Sequence, residues 1–558
     1  MGRVHRWQLF IAALGALLLI GLLGRASSRY ETALIPTYGG TYREGLAGAP
    51  RTINPLLASL NRVDGELTAL LYRGLARFDE QGRVVPDLAD GWDISPDARV
   101  FTVRLSPRYQ WQDGTPVTIE DVLFTFHTLQ DPDFPGDPAL KTLWQSVRVE
   151  RAEGDRVRFT LPEPFAPFLD QLTVGLLPAH VWASVPVREM DRMVRPPVGN
   201  GPFVLTAAEP VSLTLRPNDR FPGPRPYIRR VRWTFYPDDA AVVEAYARGE
   251  IDGIAHIRPQ DLPRVQSFAD ANLFFSPMPG FAVLLPNLKN PNVPFFRERE
   301  VRQALLYALD RETLIETYLH GMGTVAHSPF MPHSWAYDAH VPRYTYDPER
   351  AKRLLRDAGW WDRDGDGIVD KEGQPLRFIL LGDDDPARAA MLRAIARQWR
   401  AIGVDAVPKP ITFAGLVRDF LEPRTFEMAL LFWEIYGDPD PYPLWHSTQA
   451  AAGGQNYAGW ENPDADALME EARRTPDLNR RIRLYHAFQR LFAQEVPGLL
   501  LYHPLYGFAI RDRVKNVSPG PIYLPVDRYR TFPQWYLRVK RVPVTAITPT
   551  SSPRSSGP

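Results

Sequence analysis

The stretch between residues 376 and 407 constrains the fold more than any other part of the chain. Residues 376–381 form an apolar run of strand length. Asp385-Pro386 then opens a helical pattern reaching residue 402, Gly403 stops it, and residues 404–407 turn apolar again. An Asp before Pro puts a side-chain acceptor at the N-cap and a residue without an N–H at the first helical position, where that donor has no intrahelical partner. A glycine just past the end takes the left-handed conformation that closes a helix. A strand, a helix and a strand so spaced read as a crossover that lays the strands parallel, and parallel sheets are covered by helices on both faces. The spacing predicts an α/β body.

The same punctuation recurs. Asp347-Pro348 and Asn462-Pro463 open two more helices, the first ending at Gly359. Val231, Trp233 and Phe235 alternate with Arg230, Arg232 and Thr234, a strand with one buried face. Asp238 then caps a helix that Gly249 stops, and Val301, Ala304, Leu305, Ala308 and Leu309 follow helical spacing. A strand over 427–433 leads into Tyr436-Gly437-Asp438-Pro439-Asp440-Pro441. Ligands of α/β sheets sit beyond the carboxyl ends of strands, which makes this loop a candidate site on physical grounds alone.

Charge and motifs narrow the function. Lys+Arg and Asp+Glu both number 65, so no field of one sign is available to hold nucleic acid. The absence of cysteine excludes disulfides, thiolate metal sites and cysteine nucleophiles. No His pair forms HExxH, no Ser sits in G-x-S-x-G, and no Lys follows a phosphate-cradling glycine loop, so the chain reads as a binding protein rather than an enzyme. One segment resembles a metal loop. Asp362, Asp364, Asp366, Gly367, Val369 and Asp370 match positions of an EF-hand calcium loop, with Gly373 in place of its closing Glu. Asp362, Asp364, Asp366 and Asp370 are the candidate ligands of a structural calcium; no catalytic cofactor is expected.

Arg3, His5 and Arg6 precede an uncharged apolar run from Leu9 to Gly24, followed by Arg25-Ala26-Ser27-Ser28. That is the layout of an export signal over residues 1–28, either cleaved or retained as an N-terminal membrane anchor. The Pro/Ser/Thr-rich segment 541–558 reads as a disordered tail.

Several segments in order resemble family 5 of the bacterial extracellular solute-binding proteins, the dipeptide-, oligopeptide- and nickel-binding group. They are Asn54-Pro55-Leu56, Leu71-Tyr72-Arg73-Gly74-Leu75, Val85-Pro86-Asp87-Leu88-Ala89-Asp90-Gly91-Trp92, Trp111-Gln112-Asp113-Gly114-Thr115-Pro116, Gly199-Asn200-Gly201-Pro202-Phe203, Tyr346-Asp347-Pro348-Glu349-Arg350-Ala351 and Asp438-Pro439-Asp440-Pro441. The resemblance implies a bilobal clamp of the periplasmic-binding-protein kind, type II, with three domains. These are a discontinuous domain I (39–85, 198–287 and 506–540), an inserted domain II (86–197) and a second-lobe domain III (288–505). It implies a monomer that captures a peptide-like ligand by hinge closure outside the cytoplasm and delivers it to the permease and ATPase of an ABC importer. The alternatives are an oligosaccharide ligand for the same clamp, or an exported hydrolase.

In peptide-binding members an Asp shortly before the Asp-Pro turn pairs with the ligand's amino end. Aligned on Asp438-Pro439, that place is Ile435; Glu434 substitutes by a one-residue shift, and Asp438 is a second acidic candidate. Aromatic residues make up 11% of the chain, and flat rings suit solute clefts. Around the loop, Trp433, Tyr436 and Trp445 join Glu434 and Asp438 as candidate ligand-binding residues. Neighbours on a strand face opposite sides, so Phe432 and Trp433 cannot both face the cleft, and Trp433 is the expected one.

Overall fold

The computed structural model describes residues 7, 12–20, 32–58, 61–191 and 196–543. The α/β unit forms as its spacing predicts. Strands Arg377–Asp383 and Asp405–Ile411 run parallel in a seven-residue register, joined through helix Pro386–Arg400. Asp385 accepts hydrogen bonds from the backbone N–H groups of Ala387 and Arg388, and Gly403 turns the chain at φ +83°. Trp399 anchors this helix, with no exposed surface and its indole N–H on the Leu305 carbonyl at 2.9 Å.

These strands are one end of a twelve-stranded sheet. From there the order continues through Met428–Glu434, Gly280–Pro286, Leu499–Arg511, Gly253–Ile257, Thr41–Ala47, Arg230–Tyr236, Ser212–Pro217 and Phe203–Glu209. Leu499–Arg511 is the long member at 13 residues. Its first residues pair with Gly280–Pro286 and its last seven with Ala271–Pro277. These are the two crossovers of a bilobal α/β clamp, where the sheet passes from one lobe to the other. A four-stranded antiparallel sheet, in the order Ala89–Ile94, Val100–Leu105, Arg156–Thr160, Arg148–Ala152, stands apart.

Three apolar cores fill the molecule. The first joins Tyr42, Leu67 and Trp535 with Phe101, Phe126 and Trp144 beside the small sheet. The second runs from Val242 and Tyr246 to Leu284, Leu305 and Trp399, on one face of the crossover strands. The third, on the opposite face, holds Phe281, Leu431, Trp445 and Phe492. Apolar packing is therefore continuous past the crossovers.

A buried ion cluster closes the discontinuous lobe. Arg528, without exposed surface, reaches Glu44 at 3.0 and 2.8 Å and Glu66 at 2.5 Å. It thereby ties the C-terminal segment to the strand and helix at the other end of the chain. Removing one member of such a group leaves the others charged and unpaired in a dry interior.

One expectation about the termini changes. Arg538–Pro543 is a strand paired antiparallel with Thr32–Thr37, so residues 541–543 are ordered by a ladder that their composition does not announce. The remainder of the expected tail lies outside the described residues. Residues 12–20 form an exposed helix, and most of the expected export signal is likewise outside. No helix among the described residues is long and apolar enough to cross a membrane.

Candidate functional site

Strand Met428–Glu434 sorts its side chains by the period of two. Met428 and Leu430 enter the second core, Ala429, Leu431 and Trp433 the third. Phe432 and Glu434 continue the first of these faces beyond the end of its core and are exposed, Phe432 by 39%. Trp433, the ring expected to face the cleft, is partly buried. Its ring meets Phe281 at 5.6 Å and Trp445 at 5.5 Å, both edge-on, and it packs against the third core while Phe432 takes the open side. Trp445 is 1% exposed and meets Phe492 at 4.7 Å. It lies inside the third core.

Two expected residues do come together at the strand's end. The Tyr436 phenol lies beside the Glu434 carboxylate. Burial, with that carboxylate beside it, pushes the phenol above its ordinary value. The same phenol lies within electrostatic reach of Arg62 and Tyr506 on the first lobe. Arg62 stays 47% exposed beside Glu66, at 3.4 Å, and within reach of Asp239. Asp239 contacts His256 at 3.2 Å and Arg258 at 3.8 Å. Arg258 is held by Asp261 as well, at 2.6 Å, so Arg62, His256 and Arg258 each stand beside a carboxylate of their own lobe. Glu434 makes no salt bridge among the described residues, which leaves its charge available to a cation.

Asp438 plays another part. Its two carboxylate oxygens accept from Arg481 Nη2 at 2.7 and 2.6 Å, and Tyr485 Oη adds a third contact at 3.0 Å. The side chain expected to meet a ligand is thus paired with Arg481 inside its own lobe. Its backbone N–H donates to Asp170, a residue of the first lobe. The neighbouring Gly437 exchanges hydrogen bonds with the Tyr523 hydroxyl, donating at 2.5 Å and accepting at 2.7 Å. Asp440 pairs with Arg473 at 2.7 Å, and Arg473 lies 5.3 Å from the Phe165 ring. The loop after strand Met428–Glu434 is therefore a place where the second lobe touches the first. Gln81, Gly280, Phe330, Ile435, Gly437 and Tyr523 line a crevice of about 20 Å³ there, room for a water and no more.

Sequence reasoning missed Asp170, Arg481, Tyr523 and Arg62. Each is remote in sequence from the loop and sits in no motif; only the packing of the lobes brings them together. Gly437 carried a signal, since a glycine inside a polar turn at φ +88° marks a position a side chain cannot occupy. A Cβ there would stand 2.3 Å from Asp170 Oδ2.

At the acidic loop, carboxylate oxygens of Asp362, Asp364 and Asp366 lie within 4.8 Å of one another and are exposed. Asp370 departs from the set: Arg363 Nη1 holds it at 2.7 Å in a short hairpin with Gln374-Pro375.

Residues 83–455 match the family model described as bacterial extracellular solute-binding proteins, family 5 middle. The oligopeptide-binding protein AppA of Bacillus subtilis is 27% identical over 522 residues, covering 92% of this chain and 94% of that protein. The dipeptide-binding protein of Escherichia coli is 26% identical over 500 residues, 85% of this chain and 91% of its own. Among solved structures, AppA of B. subtilis in complex with a nonapeptide superposes with a TM-score of 0.67 at 27% identity, covering 90% of this chain and all of that one. The substrate-binding protein CtaP of Listeria monocytogenes gives 0.74 at 26% identity, with the same coverage. The chain is a solute-binding protein and not an enzyme, and it belongs to family 5 of the bacterial extracellular solute-binding proteins.

Proposed function

We propose that the chain captures a peptide between its two lobes and presents it, outside the cytoplasm, to the permease and ATPase of an ABC importer. The observation that carries this reading is the end of strand Met428–Glu434, where Glu434, without a salt bridge among the described residues, stands exposed beside two exposed aromatic rings, Phe432 and Tyr436. A peptide has an ammonium for Glu434 and side chains for Phe432 and Tyr436. A ligand held between two lobes touches both only when they close, so binding draws the hinge equilibrium toward the closed form. The named relatives support a peptide rather than a sugar.

The same reading places domain I at 39–85, 198–287 and 506–540, domain II at 86–197 and domain III at 288–505, in a monomer exported by its N-terminal segment. Asp362, Asp364 and Asp366 are proposed to hold a stabilising calcium ion.

Native mass spectrometry of protein made in its own host tests the ligand class. A series of co-purified peptides supports the reading; a ladder spaced by hexose units overturns the ligand assignment. Glu434→Gln is expected to weaken peptides with a free amino end about tenfold, the loss of one charge-assisted hydrogen bond. An unchanged affinity would remove Glu434 from the site.

A further inference from the structure

Strands Thr32–Thr37 and Arg538–Pro543 form a ribbon that pairs with no third strand among the described residues. It is rooted in the first lobe, where the Gly39 N–H donates to the Tyr227 carbonyl at 2.8 Å and Tyr38 stacks on Tyr227 at 5.1 Å. Two strands alone are marginally stable in water, so such a ribbon ordinarily rests an apolar face on something.

The register sorts its side chains. Leu34 lies opposite Arg541 and Pro36 opposite Val539, so these four share one face. Ile35, opposite Lys540, and Thr37, opposite Arg538, take the other. On the first face Leu34 is 61% exposed and Val539 46%, with Arg541 exposed beside them. Across the ribbon Ala33, Ile35 and Val542 are half-buried, so the Leu34 face is the open one. Charge is as one-sided as packing. Arg538, Lys540 and Arg541 are all exposed and make no salt bridge among the described residues, and neither strand contains an Asp or Glu. This concentration of cations stands in a chain whose bases and acids balance at 65 each.

Position in the chain says what such a face meets. Only residues 25–31 separate strand Thr32–Thr37 from the apolar run Leu9–Gly24. Fully extended, that stretch spans at most about 25 Å. An apolar segment retained in a bilayer therefore keeps the ribbon close to the membrane surface. An anionic surface attracts lysine and arginine side chains that come within a screening length of it, roughly 8–10 Å. An acidic protein would also suit the cations, but the chain itself does not hold one beside the ribbon.

We propose that the ribbon is a membrane-contact element, with Leu34 and Val539 set among the headgroups of an anionic bilayer and Arg538, Lys540 and Arg541 on lipid phosphates. Such a contact fixes which side of the first lobe faces the membrane. It takes the apolar N-terminal segment as an anchor and is independent of the ligand held between the lobes.

The chain has no cysteine, so a single label can be placed on it. Full-length Pro36→Cys carrying a fluorophore is reconstituted into vesicles of phosphatidylcholine and phosphatidylglycerol that include a nitroxide-bearing lipid. Ile379→Cys, exposed on the second lobe, is the reference. The label at position 36 is expected to be quenched at least about twofold more than the reference. That difference is expected to vanish in about 1 M salt, where the screening length falls to about 3 Å, and in Arg538→Glu/Lys540→Glu/Arg541→Glu. The salt arm keeps all three cations, so it decides even where the triple variant fails to fold. Sedimentation with the vesicles reads the anchor separately. Equal quenching at both labels in a chain that sediments overturns the contact and leaves the anchor. Quenching that persists in pure phosphatidylcholine and in high salt means that the tether alone holds the ribbon there, which also overturns it. If the chain does not sediment, anchor and contact fall together. None of these outcomes bears on peptide capture.

Discussion

The backbone N–H of Asp438, in the second lobe, donates to the carboxylate of Asp170, in the first. The contact lies just beyond the end of the strand that carries Glu434, so the lobes touch beside the proposed site. Three carboxylates gather there, Asp170, Asp438 and Asp440, against two guanidiniums, Arg481 and Arg473. Asp438 and Asp440 each hold one guanidinium in direct contact. Asp170 is left with backbone and the Tyr523 hydroxyl nearby, and its carboxyl is raised well above the ordinary range, by burial first and by Asp438 second.

That shift fixes the sign of a pH effect. A carboxyl whose folded value exceeds its unfolded value binds more protons when folded, so it favours the fold at low pH and that advantage is lost as pH rises through the raised value. Asp170→Asn keeps an acceptor for the Asp438 N–H and removes the buried charge. The variant is expected to melt higher than the parent at neutral pH, with the difference vanishing below about pH 4, the ordinary carboxylate range. A variant less stable at pH 7 would show that the charge itself holds the lobes.

The hinge histidine responds oppositely. His503 lies on the crossover strand, 1% exposed, with Nδ1 at 2.8 Å from the Gly280 carbonyl, and burial lowers it to about 4. The unfolded chain takes up its proton near the ordinary value of about 6.5, so stability is lost as pH falls from there toward 4. His503→Gln is expected to flatten the melting profile across that window. An unaltered slope would place the acid sensitivity elsewhere.

Gly437→Ala is expected to separate the lobes locally. Its Cβ would meet Asp170 Oδ2 at 2.3 Å, and φ +88° costs a residue with a side chain roughly 1–2 kcal/mol besides. Small-angle scattering of the unliganded variant should show a larger radius of gyration; an unchanged radius would mean the loop relaxes without moving the lobe.

Trp433 and Tyr436 differ in what they support. Trp433→Ala opens a gap between Phe281 and Trp445 and is expected to cost about 2–3 kcal/mol of stability, because the ring is only partly buried. Tyr436→Ala, from a side chain 41% exposed, is expected to leave the melting temperature nearly unchanged and to weaken peptide binding. The reverse pattern would exchange their roles.

Calcium at the acidic loop has a simple readout. Added calcium is expected to raise the melting temperature of the parent and not of Asp364→Asn, since a ligand that binds only the folded state stabilises it by mass action. Equal responses would dismiss the site.

The α/β unit was legible because its signals are local. Asp385, Pro386 and Gly403 act on the backbone groups beside them, and alternation at Val231, Trp233 and Phe235 needs only one apolar face to fix it. That Glu434 and Tyr436 stand together at a strand end was legible for the same reason, because they are near neighbours in sequence. What residues 541–543 pair with, which side of its strand Trp433 faces, and that Arg481 claims Asp438 were decided by segments distant in sequence. Local pattern says that a face is buried or a carboxylate is present. Which partner fills that face or neutralises that charge depends on how three cores and two crossover strands bring remote segments together, and only the tertiary structure contains that information.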